Sequence, residues 1–314
     1  MDYDFRTEGD TFVVPKPNET LDLAMSDGAM LRVRRHGDAD GPRLILSHGN
    51  GFAIDGYYPF WRLFLREFDV ILYDERNHGR NPPHLASGHT QAQMAQDMET
   101  VLCEVAQRFG ERRTAGVFHS LSSVVSLQHF LRYGMRFDAL VLIDPPLAPP
   151  EGHPLHQRAR NDELALHAWA RRRQSRFGHP SELAEHFKRA QSLRRWLPGA
   201  AELMARSVTK PSPEGGCELV CPPAFEADTY LQNSNAPSWQ ALPGIAQDIL
   251  VVSSDYNRPD ADAPGQVCAA VANEFGIKVV PIPDTGHLLQ IERPLEAALV
   301  VRDYLRTRGF DIAA

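Results

Sequence analysis

The sequence predicts an α/β fold in which a mostly parallel central sheet is flanked by helices and interrupted by an inserted helical module. Over residues 20–146, short runs of consecutive apolar residues alternate with segments whose apolar residues have helical spacing. Strands that are buried on both faces have this composition. After residue 146 the composition changes, and the buried-strand pattern resumes only near residue 249. We therefore predict a first core part at 1–146, an inserted helical module at 147–240 and a second core part at 241–314.

The elements of the first core part follow from these patterns. Four apolar runs are predicted strands: Leu44–Ser47, Val70–Tyr73, Ala115–Phe118 and Ala139–Ile143. Two segments with apolar residues at helical spacing are predicted helices: Gln91–Phe109 and Leu121–Leu131. Because helical segments connect the strands, we expect the strands to run parallel to one another.

The inserted segment has a different charge character from the rest of the chain. Residues 151–210 contain twelve Lys/Arg and six Asp/Glu residues, although the whole chain has a net charge of −7. Within this segment we predict one helix at Asp162–Phe177 and a second at Ser181–Leu193, with Ser181 as its N-cap. The elements predicted after this module are two strands and a final helix: Ile249–Val252, Ile277–Ile282 and Pro294–Leu305.

Composition and patterning exclude several classes of function. The chain is acidic and has no basic run longer than Arg171–Arg173, which argues against nucleic-acid binding. The acidic first residues precede no apolar run, and no stretch of 18 apolar residues occurs, so we expect neither export nor membrane insertion. The four cysteines lack the pairing of a zinc site, so we predict reduced thiols, no metal and a cytoplasmic location.

Ser120 is the candidate nucleophile because it lies where a predicted strand ends and a predicted helix begins. A tight turn at that point lifts the hydroxyl clear of the sheet and directs helix N-terminal N–H groups into the same space. A serine hydroxyl needs a base to become reactive. His287 follows the last predicted strand, so it is expected at the same carboxyl edge of the sheet.

Four motifs in chain order resemble those of the α/β-hydrolase family. They are Ser-His-Gly-Asn-Gly at 47–51, Asp-Glu-Arg-Asn-His-Gly-Arg at 74–80, His119-Ser120, and Gly286-His287 with Glu-Arg-Pro at 292–294. The resemblance implies a Ser-His-acid triad, and it implies that the inserted module at 147–240 is a helical cap or lid over the active site. It also implies an oxyanion hole formed by two backbone N–H groups, here those of Leu121 and of Asn50 or Gly51. Such donors stabilise the tetrahedral oxyanion.

Two positions depart from the family pattern, which has glycines two residues on either side of the nucleophile. Here these positions hold Phe118 and Ser122. Ser122 is small enough for a crowded turn, whereas Phe118 is bulky. The alternative interpretations are that Ser120 only caps a helix, or that Ser122 is the nucleophile, although no histidine precedes it.

The acid of the triad has several candidates. The position after the penultimate strand that usually carries the acid falls on Asn257, and an amide cannot supply the charge that stabilises an imidazolium. Asp144 lies at the end of the strand that follows Ser120, which resembles the acid position of some haloalkane dehalogenases. Asp255, Asp260 and Asp262 remain as alternatives in the loop around Asn257.

Other polar and aromatic side chains have structural interpretations. We interpret His48 as shaping the loop at 47–51 that carries the candidate oxyanion donors, here called the oxyanion loop. Asp74 and His78 are interpreted as holding their own turn, and His119 as pointing away from Ser120. Four aromatic residues of the cap are candidates for lining a substrate pocket: Trp169, Phe177, Phe187 and Trp196.

The sequence thus predicts a cofactor-independent serine hydrolase that acts on a small acyl substrate such as an ester, thioester or lactone. Ser120 would attack the carbonyl, His287 would transfer the proton, and Asp144 would fix the imidazole tautomer. A cofactor-free C–C bond hydrolase and a haloperoxidase are further alternatives, because both of these enzyme classes keep a serine nucleophile. The alternative from another class is a homologue that binds a small ligand with little or no catalysis, since fold alone does not decide function.

Overall fold

The computed structural model describes residues 12–312. The acidic start of the chain and the outer ends of the two predicted core parts, residues 1–11 and 313–314, lie outside this range. The strands of the described range are β1 Glu19–Ala24, β2 Met30–Gly37, β3 Arg43–Leu46, β4 Asp69–Tyr73, β5 Thr114–His119, β6 Ala139–Ile143, β7 Arg176–Phe177, β8 Thr209–Pro211, β9 Cys217–Leu219, β10 Ile249–Ser253 and β11 Lys278–Pro281. Its α-helices are α1 Tyr58–Trp61, α2 Gln91–Phe109, α3 Leu121–Tyr133, α4 His156–Ala170, α5 Pro180–Arg189, α6 Ala200–Ser207, α7 Pro223–Tyr230, α8 Ser238–Ile245, α9 Ala263–Phe275, α10 Leu289–Glu292 and α11 Pro294–Thr307.

Eight strands form one sheet in the order β1-β2-β4-β3-β5-β6-β10-β11. β2 pairs antiparallel with β1 and β4, and every later pair is parallel, with Leu44 opposite both Val70 and Ala115. This topology confirms the predicted fold class. Strands β1 and β2 were not predicted, because β1 alternates exposed and half-buried residues and β2 carries three arginines instead of a continuous apolar run.

Helices cover both faces of the sheet because successive strand residues point to opposite sides. Leu44 and Leu46 pack into one apolar cluster, which includes residues of α11, whereas Ile45 packs into the other, with residues of α2, α3 and α9. Full burial of each such side chain contributes about 1.5–3 kcal/mol. The strands therefore read as continuous apolar runs because both of their faces are buried.

The segment between β6 and β10 contains five helices, α4 to α8, and the small antiparallel sheet β7-β9-β8. The predicted helix Asp162–Phe177 was wrong at both ends, since α4 begins earlier and ends at Ala170. Phe177 instead lies in β7, opposite Cys217, where its side chain is buried. An antiparallel pairing with a distant strand decided its conformation, and local spacing contains no such information.

The N-cap predicted for the next helix was also wrong. α5 starts at Pro180, and its N-cap is His179, whose Nδ1 accepts a hydrogen bond from the N–H of Ser181 at 3.2 Å. Proline is favoured at the first helical position because its missing N–H would have no partner there. The helix ends at Arg189, since Ala190 is extended, so it does not reach Leu193 as predicted.

The carboxyl ends of the parallel strands meet at one edge, which brings distant parts of the chain together. Residues 47–51 follow β3, Ser120 follows β5, and Asp144 follows β6. Ser254 follows β10, and His287 lies on the connection after β11. No helix within residues 12–312 combines the length and the apolar character needed to cross a membrane.

A buried arginine on β2 offers a test of this packing. Arg34 is 1% exposed and forms ion pairs with Asp55 and Asp74. We expect Arg34→Leu to lower the free energy of unfolding by about 3–5 kcal/mol, because two buried carboxylates lose a charge partner. Urea unfolding measures this loss.

The matched control for this prediction lies on the same strand. Arg32 forms an ion pair with Asp22, but both side chains are exposed, so Arg32→Leu should cost less than about 1 kcal/mol. Equal losses in the two variants would contradict the importance of the buried pair.

Candidate active site

Ser120 occupies a strained turn between β5 and α3. Its φ of 52° and ψ of −113° lie in a region that residues with a side chain rarely adopt. The Ser120 N–H donates to the carbonyl of Ile143 at 3.0 Å, and the Ser122 hydroxyl bonds both the N–H and the carbonyl of His119 at 3.0 Å. One tertiary hydrogen bond and two local side-chain hydrogen bonds therefore hold the turn that backbone preferences disfavour. Such a turn presents the serine hydroxyl at the end of the strand.

Phe118 fits into this turn because of a glycine on the same strand. The Phe118 side chain is fully buried and packs edge to face against Phe137, with ring centroids 5.6 Å apart. A Cβ on Gly116, two residues earlier, would lie 2.6 Å from the Phe118 ring. Gly116, on the same face of the strand, thus leaves the space that the bulky Phe118 side chain needs.

Ser120, His287 and Asp144 form one hydrogen-bonded chain. His287 Nε2 lies 2.9 Å from Ser120 Oγ, and His287 Nδ1 lies 2.7 Å from Asp144 Oδ2. Asp144 accepts a further hydrogen bond at Oδ1 from the N–H of Ser254, at 2.8 Å. Because an aspartate only accepts, Nδ1 carries the proton and Nε2 can accept the serine proton. This order suits proton transfer from a hydroxyl to an imidazole.

The other acid candidates lie elsewhere in the loop after β10. Asp255 caps that loop by accepting from the N–H groups of Asn257 at 3.1 Å and Asp284 at 3.0 Å. Asp260 is exposed and pairs with Arg258. Asp262 lies next to Asp144 and His287 but forms no hydrogen bond with the imidazole. Among the four candidates, Asp144 is the carboxylate that accepts a hydrogen bond from His287.

The charges around His287 favour its protonated form. Burial opposes protonation, but the hydrogen bond to Asp144 and the charges of Asp144, Asp262 and Glu292 outweigh it, so the pKa of His287 is raised. Burial also raises the pKa of Asp144, and the charge of Asp262 adds to this, while hydrogen bonds from His287 and Ser254 act in the opposite direction. In these surroundings the imidazole of His287 holds more firmly the proton that it would take from Ser120.

The two candidate oxyanion donors on the loop after β3 differ in their hydrogen bonding. The Gly51 N–H donates to His78 Nε2 at 3.1 Å, so we correct the expectation that Gly51 offers a free donor. The Asn50 N–H has no hydrogen-bond partner among residues 12–312. Leu121 is the first residue of α3, so its N–H has no partner within the helix. Asn50 and Leu121 remain as the pair of candidate donors.

The hydrogen bonds of two nearby histidines agree with the interpretation that His48 shapes this loop and that His78 holds its own turn. His48 donates from Nδ1 to the carbonyl of Gly49 at 2.8 Å and accepts at Nε2 from the N–H of Glu75 at 3.0 Å. His78 donates from Nδ1 to the carbonyl of Arg76 at 2.9 Å. Both rings are buried and use both of their nitrogens in backbone hydrogen bonds, which leaves neither free for proton transfer.

Sequence reasoning missed a hydrogen-bonded connection between the oxyanion loop and His287. The Gly49 N–H donates to the Tyr57 oxygen at 3.2 Å, and the Tyr57 O–H then donates to His119 Nδ1 at 2.9 Å. His119 Nε2 consequently carries a proton and donates it to the His287 carbonyl at 2.9 Å. His119 thus positions the backbone of His287, and its place before Ser120 was the only signal in the sequence.

A cavity of about 1020 Å³ opens onto Ser120 and His287. Its wall combines core residues with side chains of the inserted segment, including Trp169, Phe177 and Phe187. Trp196 was also a candidate for this wall, but it packs between Phe52 and Phe187. The cavity is large enough for a small organic substrate.

Two groups of side chains in the described range bring three metal-ligating atoms within 4.8 Å of one another. The first is Asp144, Asp262 and His287, in which His287 already bonds Asp144 and Ser120. The second is His78, His89 and Cys221, in which both nitrogens of His78 form backbone hydrogen bonds. A cation in either group would have to displace existing hydrogen bonds.

Comparison with known proteins agrees with this architecture. A family model described as the α/β-hydrolase fold matches residues 42–294. The "Putative carbamate hydrolase RutD" of Escherichia coli O1:K1 / APEC is 32% identical over 106 residues, which are 34% of this chain and 38% of that protein. The sequence match therefore spans little more than a third of the relative's length.

Two solved structures are similar over nearly the whole chain. E-2-(acetamidomethylene)succinate hydrolase superposes with a TM-score of 0.72 at 19% identity, covering 92% of this chain and 100% of the other. A thermophilic esterase from Thermogutta terrifontis gives a TM-score of 0.65 at 22% identity, covering 92% and 99%. At these identities the structures establish the fold. The family match over most of the chain shows that the protein belongs to the α/β-hydrolase fold family.

Proposed function

We propose that the protein is a serine hydrolase that cleaves an activated acyl group through an acyl-enzyme. The observation that carries this proposal is the hydrogen-bonded chain from Ser120 Oγ through His287 to Asp144, with distances of 2.9 and 2.7 Å. Its order of donors and acceptors is the one that nucleophilic catalysis by serine requires. The three hydrogen-bonded side chains lie at a cavity that accommodates a small substrate.

The first half of the reaction forms the acyl-enzyme. Ser120 Oγ attacks the substrate carbonyl while His287 Nε2 takes its proton, and Asp144 stabilises the resulting imidazolium. The N–H groups of Leu121 and Asn50 hold the developing oxyanion, and each such donor contributes about 10²–10³ in rate. The imidazolium then returns its proton to the leaving group, so the tetrahedral intermediate collapses.

The second half repeats these steps with water. His287 takes a proton from a water molecule that attacks the acyl carbonyl, and Ser120 is released with the acid product. No cofactor takes part in either half. The substrate classes that fit are esters, thioesters and lactones, and the partial similarity to a protein named as a carbamate hydrolase adds carbamates to this group.

A fluorophosphonate probe and a substrate panel test the proposal. The panel contains p-nitrophenyl esters of increasing chain length, a thioester, lactones and aryl carbamates. We expect a covalent adduct of one probe per chain, located on Ser120, and turnover of at least one class. A wild-type protein that forms no adduct and hydrolyses nothing would instead support a ligand-binding homologue.

A further inference from the structure

A second carboxylate lies beside the Ser120, His287 and Asp144 chain and takes no direct part in it. An oxygen of Asp262 lies within 4.8 Å of both an oxygen of Asp144 and a nitrogen of His287. Asp262 is half-buried and faces the same cavity as Ser120. At this separation a negative charge acts strongly on an imidazolium when water is partly excluded.

One residue, Ser254, connects the two carboxylates. Its N–H donates to Asp144 Oδ1 at 2.8 Å, and its hydroxyl donates to Asp262 Oδ1 at 3.2 Å. Asp262 is also the N-cap of α9, where it accepts from the N–H of Gly265 at 3.2 Å. These hydrogen bonds fix the position of the Asp262 carboxylate. Its negative charge is therefore held in place next to His287.

Other charged groups around His287 come from separate elements. Glu292 of α10 accepts from the Gly286 N–H at 2.8 Å, and its charge also raises the pKa of His287. Arg195 and Arg258 act on Glu292 and lower its pKa, although burial, the largest influence, leaves that pKa raised. His119 stays neutral at ordinary pH, because burial and the charge of His287 hold its pKa far below the usual value.

We propose that Asp262 is a positioning residue that shares with Asp144 the stabilisation of the protonated His287, and that it partly replaces Asp144 when that carboxylate is lost. This inference rests on the proposed serine-hydrolase function. Asparagine at position 144 keeps the shape of the side chain and can still accept from the Ser254 N–H, but it loses the charge beside His287. The compensating charge would then come from Asp262.

Four proteins test the proposal: wild type, Asp262→Asn, Asp144→Asn and the double variant. Asparagine is as good an N-cap as aspartate, so Asp262→Asn removes the charge and preserves the start of α9. The matched control is Asp260→Asn, which removes an exposed charge from the same loop. The readouts are the pH dependence of kcat/KM and the titration of His287 followed by NMR on protein with ¹⁵N-labelled histidine.

We expect Asp262→Asn to move the acid limb of kcat/KM, and the NMR midpoint of His287, to lower pH. The reason is that losing a nearby negative charge destabilises the imidazolium. Asp260→Asn should leave both unchanged. In the Asp144→Asn background, the same Asp262→Asn change should reduce kcat by about a further tenfold, which exceeds its effect in the wild type.

Two results would overturn the proposal. One is an unchanged His287 midpoint in Asp262→Asn, and the other is an equal fold-loss from Asp262→Asn in both backgrounds. The NMR titration needs no substrate, so a wild type without hydrolytic activity would reject the proposed function alone. In that case a lower midpoint in the double variant than in Asp144→Asn would still support the role of Asp262, and an equal midpoint would reject it.

Discussion

Ser120→Ala is expected to abolish both the covalent adduct and turnover, with a loss in kcat of at least about 10⁴-fold. The alanine removes the attacking oxygen, whereas His287, Asp144 and the cavity keep their positions. The residual rate would come from oxyanion stabilisation and binding alone. Stopped assays on the most active ester of the panel, together with mass spectrometry of the probe adduct, measure the two effects.

The neighbouring hydroxyl provides the matched control for this variant. Ser122 Oγ bonds the backbone of His119 and does not contact His287, so Ser122→Ala should still form the adduct. Urea unfolding of both variants shows whether the turn remains folded. An adduct that persists in Ser120→Ala and disappears in Ser122→Ala would overturn the assignment of the nucleophile.

Asp144→Asn is expected to give the second largest loss, roughly 10⁴-fold in kcat. The Ser254 N–H holds the amide oxygen, so the amide NH2 faces His287 Nδ1, disfavours the required tautomer and removes the charge that stabilises the imidazolium. The substrate cavity does not depend on this charge, so KM should change little. Steady-state kinetics at several pH values separate the two parameters.

Asp255→Asn serves as the control for that experiment. Asp255 was an alternative candidate for the acid in the sequence, but its carboxylate accepts hydrogen bonds from the N–H groups of Asn257 and Asp284. We expect a loss of less than about tenfold, because a change in this loop reaches His287 only through small shifts. A larger loss in Asp255→Asn than in Asp144→Asn would contradict the assignment of the acid.

Much of the fold could be predicted because burial leaves a strong local signal. Strands β3 to β6 are covered by helices on both faces, so each is an apolar run, and α2 has apolar residues at helical spacing along its whole length. The prediction failed where distant pairing replaced local preference. Phe177 joined β7 instead of extending a helix, and the arginine-rich β2 became a strand that buries Arg34.

The candidate site likewise contains some residues that local sequence features identify and others that only distant contacts bring into place. The residue types at the strand ends identified Ser120 and His287, since a serine before a helix and a histidine after the last strand are local features. The choice between Asp144 and Asp255 was not local. It depends on which carboxylate reaches His287 Nδ1 when the ends of β6 and β10 lie side by side.

The amino-acid sequence alone determined the strands that are buried on both faces, the helices α2, α3 and α11, the family resemblance and the two residues proposed to exchange a proton, because these follow from burial patterns and short motifs. Only the tertiary structure decided that Gly51 donates to His78, that Tyr57 and His119 connect the oxyanion loop to His287, and that Asp262 lies beside Asp144. Each of these contacts joins segments that are far apart in the chain. Their distances are set by how the strands align at the edge of the sheet, which residue spacing does not encode.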